Sequence, residues 1–170
     1  VQPGQTVLVQ GVGGGVSTAA IQLAKQLGAR VWATSRDEAK RAAALTLGAD
    51  EAFEPGARLP ERVDAVMESV GEATWSHSLK SLRPGGRLVV CGATSGPNPP
   101  ADLNRVFFLQ LEVLGSTMGT REELERLIDL VVSSGVRPTI SATYPLADAR
   151  EGFVQLADGD VIGKIVLTMA

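Results

Sequence analysis

Short apolar runs alternate with segments whose apolar residues recur at helical spacing. "TVLVQG" (Thr6 to Gly11) is a β-branched run of the kind that forms a strand buried on both faces. Val16, Ala20, Leu23, Ala24 and Leu27 then recur with helical period, and Gly28 stops that helix. "RVWATS" predicts a second strand, followed by a short helix ending at Gly48, and "EAF" (Glu51 to Phe53) a weak third strand. The loop "EPGARLPER" is too short to hold a full crossover helix. "VDAVMES" is the fourth strand. Trp75, Leu79 and Leu82 mark the face of a helix that "RPGG" ends, and "RLVVCG" is the fifth strand. "ATSGPNPPADLN" reads as a loop stiffened by Pro97, Pro99 and Pro100, and "LEVLGST" as a sixth strand. Thr120 and Glu123 have the spacing of a capping box, opening a helix that Gly135 closes.

Strands that alternate with helices in this way imply an α/β fold. The expectation is a Rossmann-type, doubly wound parallel sheet of about six strands with helices on both faces. Residues 1–140 form the expected dinucleotide-binding domain. The tail, 141–170, changes rhythm to strand, helix, turn and strand.

Composition narrows the function classes. The formal charge of the 170 residues is -3 and no basic cluster stands out. Neither nucleic acid nor a membrane surface is therefore an expected partner. One cysteine, Cys91, and one histidine, His77, do not make a typical zinc site. No signal peptide or membrane-length apolar run is visible, so the expected location is cytoplasmic. The chain opens on Val1 rather than Met, as expected of a piece of a longer protein.

The candidate chemistry lies in "GVGGGVS", Gly11 to Ser17, between the first strand and the first helix. The first N–H groups of a helix have no intrahelical partner, and the helix dipole adds positive potential there. Glycines let backbone approach a pyrophosphate closely. Gly11, Gly13, Gly14, Gly15 and Val16 are accordingly candidate cofactor-binding residues. Ser17 stands where such fingerprints end in glycine, so the helix is expected to sit slightly farther from the sheet.

The run from "VQPGQTVLV" through "GVGGGVSTAAIQLAKQLGARV" resembles the cofactor domain of the medium-chain dehydrogenases/reductases, a group with zinc-containing alcohol dehydrogenases and zinc-free quinone oxidoreductases. The likeness continues at "LGAD", "VDAVMESVG", "LRPGGRLVVCGATSG", "FFLQLEVLGSTMGT" and "PLADAREGF…GKIVL", and so spans nearly the whole chain. Gly11, Gly14 and Ser17 fall on the places of the family's fingerprint.

An acid at the end of the second strand would bind the ribose hydroxyls of NAD, whereas an Arg there accommodates the 2′-phosphate of NADP. Thr34, Ser35 and Arg36 stand there instead, and the first carboxylate is Asp37. Ser35 can hydrogen-bond a phosphate, Arg36 can pair with it, and Lys40 lies one helical turn beyond Arg36. NADP(H) is the expected cofactor in preference to NAD(H), which the family resemblance also implies. The competing reading makes Ser35 and Glu38 a capping box and leaves Arg36 and Lys40 as solvated charges.

Ligands of doubly wound sheets lie beyond the carboxyl ends of the strands. With the resemblance, this makes Val70, Gly92, Ala93 and Thr94 candidates near the nicotinamide, and Ser116 and Thr117 candidates near its carboxamide. Glu68 is read as a structural hydrogen-bonding group, with a general-base role as the alternative. His77 is expected on the solvent side of its helix and Cys91 inside the sheet, both inert. No catalytic or metal-ligating residue is assigned.

The resemblance implies hydride transfer to or from a small carbonyl, alcohol, enone or quinone. The small-molecule substrate would be held by an N-terminal lobe that precedes this segment, and the tail would return to that lobe. Any zinc would lie outside the segment. It also implies a homodimer through the sixth strand. Competing classes are a non-catalytic nucleotide-binding module and a methyltransferase using S-adenosylmethionine, which usually requires an acid where Ser35 stands.

Overall fold

The computed structural model describes residues 1–169; Ala170, the last residue of the predicted tail, lies outside them. Six strands form one parallel sheet: β1 (Thr6–Val9), β2 (Arg30–Thr34), β3 (Glu51–Phe53), β4 (Val63–Glu68), β5 (Leu82–Val90) and β6 (Glu112–Gly115). Their spatial order is β3-β2-β1-β4-β5-β6, with every neighbour parallel. This is the doubly wound arrangement expected, and the order reverses between β1 and β4, which places a crevice at their carboxyl ends.

The alternation of side chains along β1 and β2 sorts the core into two layers. Val7, Val9, Val31 and Ala33 face one side, with Ile21 and Ala24 of α1 (Gly15–Gln26) and Ala44 of α2 (Glu38–Thr46). Leu8 and Trp32 face the other, with Leu79 of α3 (Glu72–Ser81) and the strand residues Val66, Leu82 and Leu88. The first layer is built largely of Ala and Val and the second of Leu and Trp. Small side chains let α1 and α2 sit close over the sheet, while bulky ones fill the space under α3.

Several local details differ from the sequence expectation. "LRPGG" belongs to β5 rather than to the end of α3, and the strand pairing shifts register between Val63 and Ala65 to absorb it. The proline-rich loop after β5 leads into a six-residue helix, α4 (Leu103–Phe108). Such a helix is too short to leave a periodic pattern. Asp37, not Ser35, caps α2, its carboxylate accepting from Lys40 N at 3.1 Å. The predicted Thr120–Glu123 capping box is present on α5 (Arg121–Ser134), and Gly135 ends that helix at φ 72°.

β7 (Ile140–Pro145), α6 (Ala149–Asp158) and β8 (Lys164–Thr168) form a β-α-β unit whose two strands pair in parallel as a second sheet. It docks on the main domain beside the glycine loop, where Gly163 N–H donates to Gly13 O at 2.8 Å. Among the described residues, no helix is long and apolar enough to cross a membrane.

Candidate cofactor site

The site begins where β1 gives way to α1. Gly11 has φ 69°, and a Cβ there would lie 2.5 Å from Val70 Cγ2. A side chain is therefore excluded twice, by backbone conformation and by the neighbouring loop. Gly14 is the N-cap of α1, exposed and without a side-chain cap, and the first helical turn carries no acid. A Cβ at Gly14 would meet nothing within 4 Å. The helix thus presents an uncapped, electropositive end to open space, as a pyrophosphate requires.

Ser17 is buried. Its hydroxyl accepts from Gly13 N at 3.2 Å and donates to Gly14 O at 3.0 Å. The residue that departs from the glycine fingerprint therefore stitches the loop to itself.

Two grooves flank this loop and share Gly11, Val12 and Lys40. One, of about 600 Å³, holds Gly11, Ser35, Arg36, Lys40, Val70 and Thr94 among its lining residues, together with Thr74 and Ser95. The other, of about 550 Å³, holds Gly13, Gly14 and Gly15 with Lys40 and the tail residues Gly159, Gly163 and Lys164. Of the residues proposed from sequence, these come together. Val16 lies in the first turn of α1, 53% exposed. Gly92 and Ala93 line neither groove but pack on the loop after β4: a Cβ at Gly92 would lie 3.0 Å from Ser69 O, and one at Gly71 3.0 Å from Ala93 Cα. Ser116 and Thr117 follow β6, exposed and away from both grooves, with Ser116 N–H donating to Val90 O at 2.8 Å.

At the end of β2, hydrogen-bond donors and one carboxylate, Asp37, line the same groove. Ser35 is almost fully buried and its Oγ accepts from Asp37 N at 3.3 Å, which leaves the hydroxyl proton free to donate. Arg36 lines the groove and forms no ion pair among the described residues. One oxygen of Asp37, the first available acid, is held by the cap of α2. Lys40 lies over Gly13 and donates to Gly159 O at 2.6 Å, so it bridges the loop and the tail with two ammonium protons to spare.

Lys164 was not foreseen. Its aliphatic stem and ammonium pack over Gly15, where any Cβ would collide with them. It lies far downstream of the loop, and the docking of β8 brings it there; the "GKIVL" likeness marks the segment but not its place beside the loop.

The three remaining candidates resolve differently. Glu68 is fully buried. Its Oε1 accepts from Val70 N at 2.8 Å and Gly71 N at 3.1 Å, and its Oε2 from Ser78 Oγ at 2.5 Å, while Thr74 Oγ1 lies 2.9 Å from both oxygens. The structural reading of Glu68 is the one this geometry supports. His77, expected on the solvent side, is half-buried and bonded at both ring nitrogens, to Gln10 Nε2 at 3.0 Å and Ala57 O at 2.9 Å. Cys91, expected within the sheet, lies just past β5 and is exposed as a residue, with its sulfur turned toward Met67 Sδ and Glu68 O at 3.6 Å each. Burial, and then the Glu68 carboxylate, push its thiol pKa up, which opposes a nucleophilic role. Among the described residues, no group of three or more His, Cys, Asp or Glu could hold a metal ion.

A parallel sheet in 3-2-1-4-5-6 order, with an uncapped glycine-rich helix N-terminus at its switch point, is the architecture of a Rossmann-type cofactor-binding domain. A family profile described as "Zinc-binding dehydrogenase" matches residues 15–133, and the chain belongs to that family. Acryloyl-coenzyme A reductase of Metallosphaera sedula is 33% identical over 172 residues, covering 97% of this chain and 51% of the relative. A crystal structure of an NAD-dependent alcohol dehydrogenase superposes with TM-score 0.90 at 36% identity, covering 100% of this chain and 52% of that one. A mycobacterial protein structure complexed with NADPH gives TM-score 0.85 at 30% identity over 98% of this chain and 57% of its own, and the structure of a mycobacterial quinone oxidoreductase gives TM-score 0.86 at the same identity and coverage. The acryloyl-coenzyme A reductases and alcohol dehydrogenases among the curated relatives are oxidoreductases, and the chain spans about half their length.

Proposed function

We propose that this chain is the NADP(H)-binding part of an oxidoreductase acting on a small carbonyl, alcohol, enone or quinone. The observation that carries the nucleotide choice is the end of β2: a buried Ser35 with a free hydroxyl proton beside Arg36, which has no ion pair among the described residues, while the one acid lining the groove there, Asp37, is engaged through one oxygen by the cap of α2. A ribose 2′-phosphate finds one neutral and one charged donor there. The α1 N-terminus takes the pyrophosphate, with Lys164 and Lys40 lowering its charge from either side. Val70 and Thr94 form the wall against the nicotinamide, backed by Gly92 and Ala93; for Ser116 and Thr117 near its carboxamide the support is the family resemblance, since both lie away from the grooves. When bound, the nicotinamide gives or takes the hydride. This chain contributes binding and orientation, since the one buried carboxylate near the groove, Glu68, has both oxygens occupied by donors.

The test is calorimetric titration of the chain with NADPH and NADH at matched salt. NADPH is expected to bind at least tenfold more tightly, one charge-assisted hydrogen bond being worth about 1.5–3 kcal/mol. Equal affinities, or tighter NADH, would remove the NADP(H) assignment. Replacing Lys164 by Ala is expected to weaken both nucleotides equally, because the pyrophosphate is common to them.

Homodimerisation through β6 is part of the same reading. β6 is an edge strand of the sheet, and Val113 and Leu114 are each 42% exposed. Light scattering should report a dimer; a monomer at high concentration would exclude this interface.

A further inference from the structure

Under the groove lies a line of buried polar side chains. Gln10 follows β1 and is fully buried. Its Oε1 accepts from Thr34 Oγ1 at 2.6 Å. Its Nε2 donates to Ser78 Oγ and to His77 Nδ1, both at 3.0 Å. Thr34 Oγ1 in turn accepts from Gly11 N at 3.3 Å, and Ser78 donates to Glu68 Oε2. Every link points one way, from the Gly11 amide toward the Glu68 carboxylate. That carboxylate then accepts from the amides of Val70 and Gly71.

We propose that Gln10 is a positioning residue for the whole dinucleotide: its amide ties the Gly11 loop and the end of β2, which serve the adenosine half, to the Val70–Gly71 turn, which serves the nicotinamide half. This rests on the nucleotide-binding reading above. The two loops also touch directly, through Val70 against Gly11. Gln10 suits the place because the line needs one acceptor and two donors on a single planar group. Methionine matches its length and supplies no donor. Glutamate keeps the acceptor toward Thr34 but turns lone pairs toward His77 and Ser78. A ligand that spans both loops benefits from their fixed spacing, whereas a ligand confined to one loop does not.

The experiment compares the chain with its Gln10→Met and Ser78→Ala variants, using NADPH and adenosine 2′,5′-bisphosphate as probes. The bisphosphate contacts only the adenosine side. In Gln10→Met, NADPH affinity is expected to fall about tenfold and bisphosphate affinity by less than about twofold. Ser78→Ala, a smaller change that breaks the line farther from the ligand and is expected to fold even where Gln10→Met does not, should show the same selectivity at smaller size. Hydrogen exchange at Val70 and Gly71 should rise in Gln10→Met together with that at Gly11. Equal losses for both probes, or none, would reduce Gln10 to a structural residue and overturn the inference while leaving the nucleotide reading in place. Failure of the unmutated chain to bind either probe would overturn both.

Discussion

Replacing Ser35 by Asp together with Arg36 by Ala should invert the nucleotide preference. NADPH affinity is expected to fall roughly 100-fold, since the loss of a charge-assisted partner, worth about 1.5–3 kcal/mol, is joined by carboxylate–phosphate repulsion. NADH affinity should hold or rise a few-fold, because a carboxylate at this position can accept from both ribose hydroxyls. The substitution suits the local backbone. Ser35 Oγ already accepts from Asp37 N, and an aspartate oxygen can take the same bond. Salt should separate the parts: NADPH binding to the unmutated chain should weaken more steeply with ionic strength than NADH binding, and the double variant should lose that difference. An unchanged NADPH/NADH ratio would return Arg36 to the solvated surface and leave the family assignment untouched.

The two halves of the site differed in how openly the sequence carried them. The glycine loop and the end of β2 are contiguous with the strands that position them, so the fingerprint and the Ser35-Arg36 pair could be placed from spacing alone. The doubly wound order was equally accessible, because both layers of the core use residues alternating along β1 and β2. Contacts between distant segments were not. Lys164 reaches Gly15 only through the docking of the tail, and His77 is bonded inward because Gln10 and Ala57 happen to flank α3. Helical spacing placed His77 opposite Trp75, but burial of a helix face depends on which loops cover it. The loop 54–62 covers this one, and it is too irregular to leave a pattern. Cys91 shows the same limit in reverse: an apolar run continues one residue past the last paired position of β5.

The largest loss of stability from one side chain is expected at Glu68. The carboxylate is fully buried, with no cation near enough to form an ion pair among the described residues. What keeps it there is a full set of donors: two backbone amides and the hydroxyls of Thr74 and Ser78. Glu68→Ala removes the acceptor and leaves all four donors in the interior, each unsatisfied group costing about 1–3 kcal/mol where water does not reach it. Allowing for partial relaxation, the loss should be about 3–5 kcal/mol, or on the order of 10 °C in Tm for a domain of this size. Glu68→Gln keeps the shape and one acceptor but points an N–H at groups that already donate. It should lie between the two, at about 1–3 kcal/mol. Thermal unfolding of the three proteins checks the order. Activity provides the contrast with a general base: in the proposed full-length oxidoreductase carrying Glu68→Gln, kcat per folded molecule should stay within a few-fold of the unmutated protein. Removing a working base would instead lower it by about 100-fold or more. A collapse of kcat without a fall in Tm would therefore make Glu68 part of the chemistry rather than the anchor of the Val70–Gly71 turn.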